Sequence, residues 1–269
     1  MIYTYDGTFD GFLTCIFQNY YFKKASAIYN SNNWQMNILE DYMYVETNEE
    51  KAQRVYKGMH NHLSEQAVQE VFYTFLSCDA EKENYLLNYL RLAFKMGVKI
   101  DNMYTHAYVL PIREIVGRVS FEKHRIYGLL RFKDTGSFLY ADYAPDNNIT
   151  GLITPFFADR LAGEKFVIHD VSRGIASFYS NGNWYMTDFE LKEPIKLSDS
   201  EVKYAKLWQQ YFETATIESR INPRLQRRCM PRRYWRFLTE MQHKKKSFSS
   251  KTEIPSEIDT VNNSVLIGN

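Results

Sequence analysis

The stretch Glu122-Lys123-His124-Arg125-Ile126-Tyr127-Gly128-Leu129-Leu130-Arg131-Phe132-Lys133-Asp134-Thr135-Gly136-Ser137-Phe138-Leu139-Tyr140-Ala141-Asp142-Tyr143 decides the fold, because the apolar pattern changes period around it. Before it, apolar residues recur at helical spacings of three and four. Within it, Ile126, Gly128, Leu130 and Phe132 alternate with Tyr127, Leu129 and Arg131. Asp134-Thr135-Gly136 supplies a turn and 138–143 returns, which predicts a β-hairpin. Helices first and antiparallel strands afterwards make the fold class α+β.

Upstream, residues 48–119 carry a helical signal throughout. Ser64 is an N-cap, with Leu63 and Val68 placed as a hydrophobic staple, and Val68, Val71, Phe72 and Phe75 form the buried face. Leu86, Leu90 and Phe94 line the next helix, which Gly97 ends, and Pro111 opens another that turns Ile112, Ile115, Val116 and Val119 inward. The chain opens with a strand at 2–5 and a turn at Asp6-Gly7. A helix bearing Phe9, Phe12, Leu13, Ile16 and Phe17 and capped by Thr8 follows, then the loop Asn30-Ser31-Asn32-Asn33 and a strand at 41–46. Asp6 and Asp10 flank the helix start, where carboxylates suit the positive dipole end.

Downstream, Pro145-Asp146-Asn147-Asn148 breaks the strand and a helix carries Phe156, Phe157 and Leu161. Strands at 166–169, 175–179 and 184–186 follow, the last two joined by a tight turn at Asn181-Gly182. The second half therefore reads β-β-α-β-β-β, a mainly antiparallel sheet under a helical layer. Ser198-Asp199-Ser200-Glu201 is a capping box, and Val202, Ala205, Trp208, Phe212 and Ala215 make an amphipathic helix. The expected organisation is a single α+β domain over 1–243: helix-rich at 1–120, sheet-rich at 121–190, with a C-terminal helix and Arg-rich segment at 198–243. Residues 244–269 read as a disordered tail.

Between Arg220 and Lys246 stand seven Arg and three Lys against one acid, Glu240, so a net charge of +1 conceals a basic end on an acidic body. Such asymmetry points to a polyanionic partner, or to a segment that docks on its own acidic surface. The three cysteines, Cys15, Cys78 and Cys229, have no paired spacing, which excludes a chain-local iron–sulfur or zinc motif and suits a reducing, cytoplasmic setting. No signal peptide and no apolar run of bilayer length is present, so no membrane role is expected.

The opening Tyr5-Asp6-Gly7-Thr8-Phe9-Asp10-Gly11-Phe12-Leu13, the central Glu122-to-Phe132 segment and the late Met230-Pro231-Arg232-Arg233-Tyr234-Trp235 together resemble one bacterial family. Its members are described as DNA metabolism or DNA repair proteins, built on a domain of unknown function and encoded beside a radical-SAM protein. The resemblance extends to about Met241. Some longer relatives carry a uracil-DNA glycosylase domain beyond this region; the present sequence ends soon after the basic stretch, so that activity is not carried over. What the resemblance implies is a DNA context and a radical-SAM partner that holds the iron–sulfur cluster and SAM, with no cofactor in this chain.

Two candidate sites emerge. Arg224, Arg227, Arg228, Arg232, Arg233 and Arg236 are set among Tyr234 and Trp235, a pattern that suits phosphate forks and base stacking. Equally, a helix from Pro231 would put Tyr234, Trp235, Leu238 and Met241 on one buried face and leave the arginines merely solvated. The second candidate gathers Glu122, His124 and Arg131 from the hairpin with Asp142, Arg160, His169, Asp170 and Arg173, groups that would serve acid–base chemistry if they converged and ion pairing if they did not. His60 and His62 alone do not make a metal site. The leading expectation is a DNA-binding accessory protein of a repair or modification system. The rivals are an enzyme acting on DNA through the sheet cluster and an interaction module whose arginines bind an acidic partner.

Overall fold

The computed structural model describes residues 1–32 and 41–242. Strand β1 (Ile2–Tyr5) is buried along its length and pairs in parallel with β2 (Ala27–Asn30) and β3 (Tyr42–Tyr44), giving the order β2-β1-β3. Helix α1 (Phe9–Tyr21) crosses over between the first two strands, as a parallel connection requires. Thr8 caps it, its hydroxyl accepting from Gly11 N–H. The strand expected at 41–46 contracts to three residues. The pairing of β2 was not signalled, because its four residues are too few to show a period.

Four helices follow: α2 (Glu49–His62), α3 (Glu65–Phe75), α4 (Lys82–Met96) and α5 (Leu110–Leu129). Ser64 caps α3 through Ala67 N–H, Gly97 ends α4 at φ +57°, and Pro111 lies in the first turn of α5, as expected. The hairpin expected from 126–132 is a correction: α5 continues through it to Leu129. Its buried positions, Ile112, Ile115, Val119, Glu122 and Ile126, keep steps of three or four, so the helical period outlasts the apparent alternation. Ile112 packs into a first core with Tyr3, Phe12, Met59 and Leu86. Ile115, Val119 and Ile126 pack into a second core with Phe157, Phe166 and Ile168. One helix thereby joins both halves of the chain.

A five-stranded sheet runs β4 (Lys133–Asp134), β5 (Leu139–Tyr143), β6 (Phe166–Asp170), β7 (Ile175–Ser180), β8 (Asn183–Asp188), with α6 (Thr150–Arg160) between β5 and β6. The order β-β-α-β-β-β and the mainly antiparallel α+β class are as expected. The helix between β5 and β6 makes that one pair parallel. Asn181 and Gly182, at φ +52° and +82°, form the tight turn of the last hairpin.

Helix α7 (Asp199–Thr214) starts at Ser198, whose hydroxyl accepts from Glu201 N–H. The Glu201 carboxylate, instead of closing the capping box, accepts from Asp134 N–H and ties the helix to β4. The apolar face expected of α7 forms but none of its residues is buried. The Arg-rich segment is also a correction. In place of one helix from Pro231 it forms α8 (Pro223–Cys229), a 3₁₀ turn at Arg232–Phe237 and α9 (Thr239–Gln242). Residues 244–269, with the expected tail and Lys244, Lys245 and Lys246, lie outside the described residues. No helix among the described residues is long and apolar enough to cross a membrane.

Candidate nucleic-acid interface

Asn222 caps α8 by accepting from Leu225 N–H, and Pro223 occupies its first turn, a pairing that fixes where the short helix begins. The chain then turns at Met230 and Pro231, and the 3₁₀ turn carries Tyr234 and Phe237 inward while Arg232, Arg233 and Arg236 stay exposed. Tyr234 joins the second core, beside Ile126 and Tyr143. The three-residue period of the 3₁₀ turn separates inner aromatics from outer arginines.

Two buried carboxylates clamp this segment to the body from opposite directions. Glu122 of α5, 3% exposed, accepts from Tyr234 Oη at 2.5 Å, Arg233 Nη2 at 3.3 Å, the Asp146 and Asn147 backbone N–H groups at 2.9 Å each, and Asn147 Nδ2 at 2.6 Å. Glu240, from the segment itself, receives Arg131 through Nη2 at 2.7 Å and Nε at 3.2 Å, and Trp208 Nε1 at 3.0 Å. Burial alone would raise both carboxyls. Hydrogen bonds from Tyr234 and residues 146–147 to Glu122, and from Arg131 and Trp208 to Glu240, outweigh it and hold both below the usual glutamate value. Both are therefore ionised and fully partnered at neutral pH.

Beside the 3₁₀ turn lies a cleft of about 920 Å³, lined by Ala144, Ile221, Pro223, Gln226, Trp235 and Met241 together with Arg227, Arg232, Arg233 and Arg236. Trp235 is half-buried, its indole N–H donating to Met230 O at 2.9 Å, and the Arg232 guanidinium lies over the ring at 5.6 Å. Arg233 is committed to Glu122 and, at 2.7 Å, to Asp146. Among the described residues, no acid pairs with Arg224, Arg227, Arg228, Arg232 or Arg236, all of them exposed. Chemically, the cleft offers three cations without acidic partners, Arg227, Arg232 over the Trp235 ring and Arg236 over the Phe237 ring, against a largely apolar lining.

The second candidate does not assemble in one place. Glu122, Asp170 and Arg173 meet through residues 145–147. Arg173 donates to Pro145 O, Asp146 O and Asp170 Oδ2, while Asp170, fully buried, also accepts from the Ser172 and Arg173 backbone. Asp142 and His169 face each other across β5 and β6 on the opposite side of the sheet. Asp142 pairs with Lys133 at 2.6 Å. His169 Nδ1 shares a 2.6 Å hydrogen bond with Tyr140 Oη, and burial holds its imidazole below the usual histidine value despite Asp142 nearby. Arg131 belongs to the Glu240 clamp, and His124 and Arg160 are exposed on α5 and at the end of α6. Glu122 and His124 are helical, and Arg131 follows the helix in a loop, which is why the set expected on a hairpin scatters. Among the described residues, no group of three or more His, Cys, Asp or Glu is placed to hold a metal.

Sequence reasoning missed the Glu122–Asp146–Arg233 junction, whose members lie up to 111 residues apart and carry no local signature. It also missed α8, although Asn222-Pro223 is a legible cap. Among known families, the model of a domain of unknown function, DUF4130, matches residues 80–240. No curated protein matches the chain.

Proposed function

We propose, for a chain that belongs to the DUF4130 family, a nucleic-acid-binding role in a DNA repair or modification system, exercised through the arginine cleft. One observation carries this reading. Three exposed arginines without acidic partners, Arg227, Arg232 and Arg236, line an apolar cleft, with Arg224 and Arg228 also unpaired on α8, while the body's buried carboxylates are already occupied. Guanidinium forks suit phosphate oxygens, and neutralising phosphates releases counterions, which gives salt-sensitive affinity. The DNA context and a radical-SAM partner that would bring the iron–sulfur cluster and SAM rest on the family resemblance of the three motifs. Purification of this chain from its native host tests that part: a radical-SAM protein should co-purify with it, and its absence rejects the partnership.

The test of binding is affinity for DNA across a salt series. Replacing Arg227, Arg228, Arg232 and Arg236 by Ala should lower the slope of log affinity against log salt by about 0.7–0.9 for each phosphate partner lost. No binding at low salt, or a slope unchanged in the fourfold variant, rejects nucleic acid and leaves an acidic protein surface as the partner of the arginines.

A further inference from the structure

We infer that the cleft takes an unpaired nucleotide of a single DNA strand, its base against Trp235 and its flanking phosphates on Arg227, Arg232 and Arg236; this rests on the nucleic-acid reading above and gives it a strand preference. The first ground is shape. The arginines sit on a helix of seven residues and a 3₁₀ turn that bend around a concavity, not along one helical face. A seven-residue helix is about 10 Å long, and its arginines are shared with a cleft wall instead of projecting together toward a groove.

The second ground is the lining. A cavity of about 920 Å³ lies within the size range of small-molecule sites, enough for one nucleotide with its phosphates. Ile221, Pro223, Met241 and the Trp235 ring line it with apolar surface that a duplex would leave uncovered, since paired bases hide their faces in the stack. An unpaired base offers a π-face to that lining whatever its identity. The third ground is preorganisation. The Trp235 indole is fixed by its bond to Met230 O, and the Glu122 and Glu240 clamps fix the turn that bears it, so little side-chain order is lost on binding. Arg233, which also lines the cleft, is neutralised by Glu122 and Asp146 and serves to position its neighbours.

The experiment compares four ligands at one salt concentration: a short single strand, the same strand with abasic sites, the same sequence as a duplex, and thymidine monophosphate. It uses the full chain and its Trp235→Ala and Trp235→Phe variants, with circular dichroism as the control for folding. The intact strand should bind at least about tenfold more tightly than the duplex. Trp235→Ala should weaken the intact strand by about 5- to 150-fold, the range of one base stack, and leave the abasic strand unaffected, while Trp235→Phe restores most of the loss. Equal affinity for duplex and strand, equal losses on intact and abasic strands, or a free mononucleotide bound as tightly as the strand overturns this inference alone. Failure to bind any of the DNA ligands at low salt overturns the nucleic-acid reading with it.

Discussion

Glu122→Ala separates a structural carboxylate from a catalytic one. In the native protein the group is 3% exposed and receives five hydrogen bonds, from Tyr234, Arg233, the Asp146 and Asn147 backbone, and the Asn147 amide. Truncation leaves the buried Tyr234 hydroxyl and the buried Asn147 backbone and amide donors without their acceptor. Each buried donor left without an acceptor costs about 1–3 kcal/mol, and water entering the vacated volume recovers part of it. Loss of one member of a buried charged network therefore amounts to about 3–5 kcal/mol. For a chain of this length that lowers Tm by about 6–20 °C. The comparison is Arg233→Ala. Its side chain is 42% exposed, so the pair is screened and its loss should cost about 1 kcal/mol or less. Denaturant unfolding of both variants measures the difference, and the DNA affinity proposed for the cleft should fall in Glu122→Ala because the turn bearing Trp235 loses its anchor. If Glu122→Ala costs no more than Arg233→Ala, the carboxylate does not hold the segment and the clamp argument fails.

The reciprocal clamp makes the same kind of prediction. Arg131→Ala leaves Glu240, 1% exposed at its side chain, with Trp208 as its remaining side-chain donor, so unfolding should cost about 2–4 kcal/mol less, whereas Arg228→Ala should stay within about 0.5 kcal/mol of the parent. Stability should also depend on acid. Both carboxyls titrate below their unfolded value of about 4.3, so their contribution is complete above that pH and is lost as pH falls through the lowered folded values. Denaturation midpoints followed from pH 6 to pH 3 should fall, with a smaller drop in Glu122→Gln; a flat profile across that window contradicts the assigned ionisation.

What the sequence disclosed follows from the range of each interaction. Caps are local, so Thr8, Ser64, Ser198 and the Asn181-Gly182 turn were all legible from neighbouring residues. The succession of strands and helix along the second half was also legible, but its first strand was misplaced. From Ile126 to Phe132 a short alternation competed with the tail of a helical stripe, and burial of Ile126 against the sheet core decided for the helix. The arginine set was visible as composition. Its division into one committed and five free members was not, because Arg233 finds its acids on α5 and in the loop after β5. The sheet constellation failed for the same reason. Residue type placed eight groups together, and only register and partner atoms show that Asp142 and His169 face away from Asp170.

The charge asymmetry left two destinations for the arginines, an outside polyanion or the chain's own acidic surface. The pairing pattern bears on that choice. Glu240 is filled by Arg131, Asp170 by Arg173 and Asp142 by Lys133, all three cations coming from outside the Arg-rich segment. Of the six arginines considered, Arg233 alone reaches acids among the described residues, and it does so where Tyr234 already anchors the turn. The clamps therefore neutralise the attachment point and leave the rest of the positive charge unspent. Holding Arg227, Arg232 and Arg236 around one cleft crowds like charges, which disfavours the free state and is relieved when anionic groups enter. The same two carboxylates that fix the segment thus raise the electrostatic gain available to a phosphate, and that gain is lost if the segment is released to pair with the acidic body.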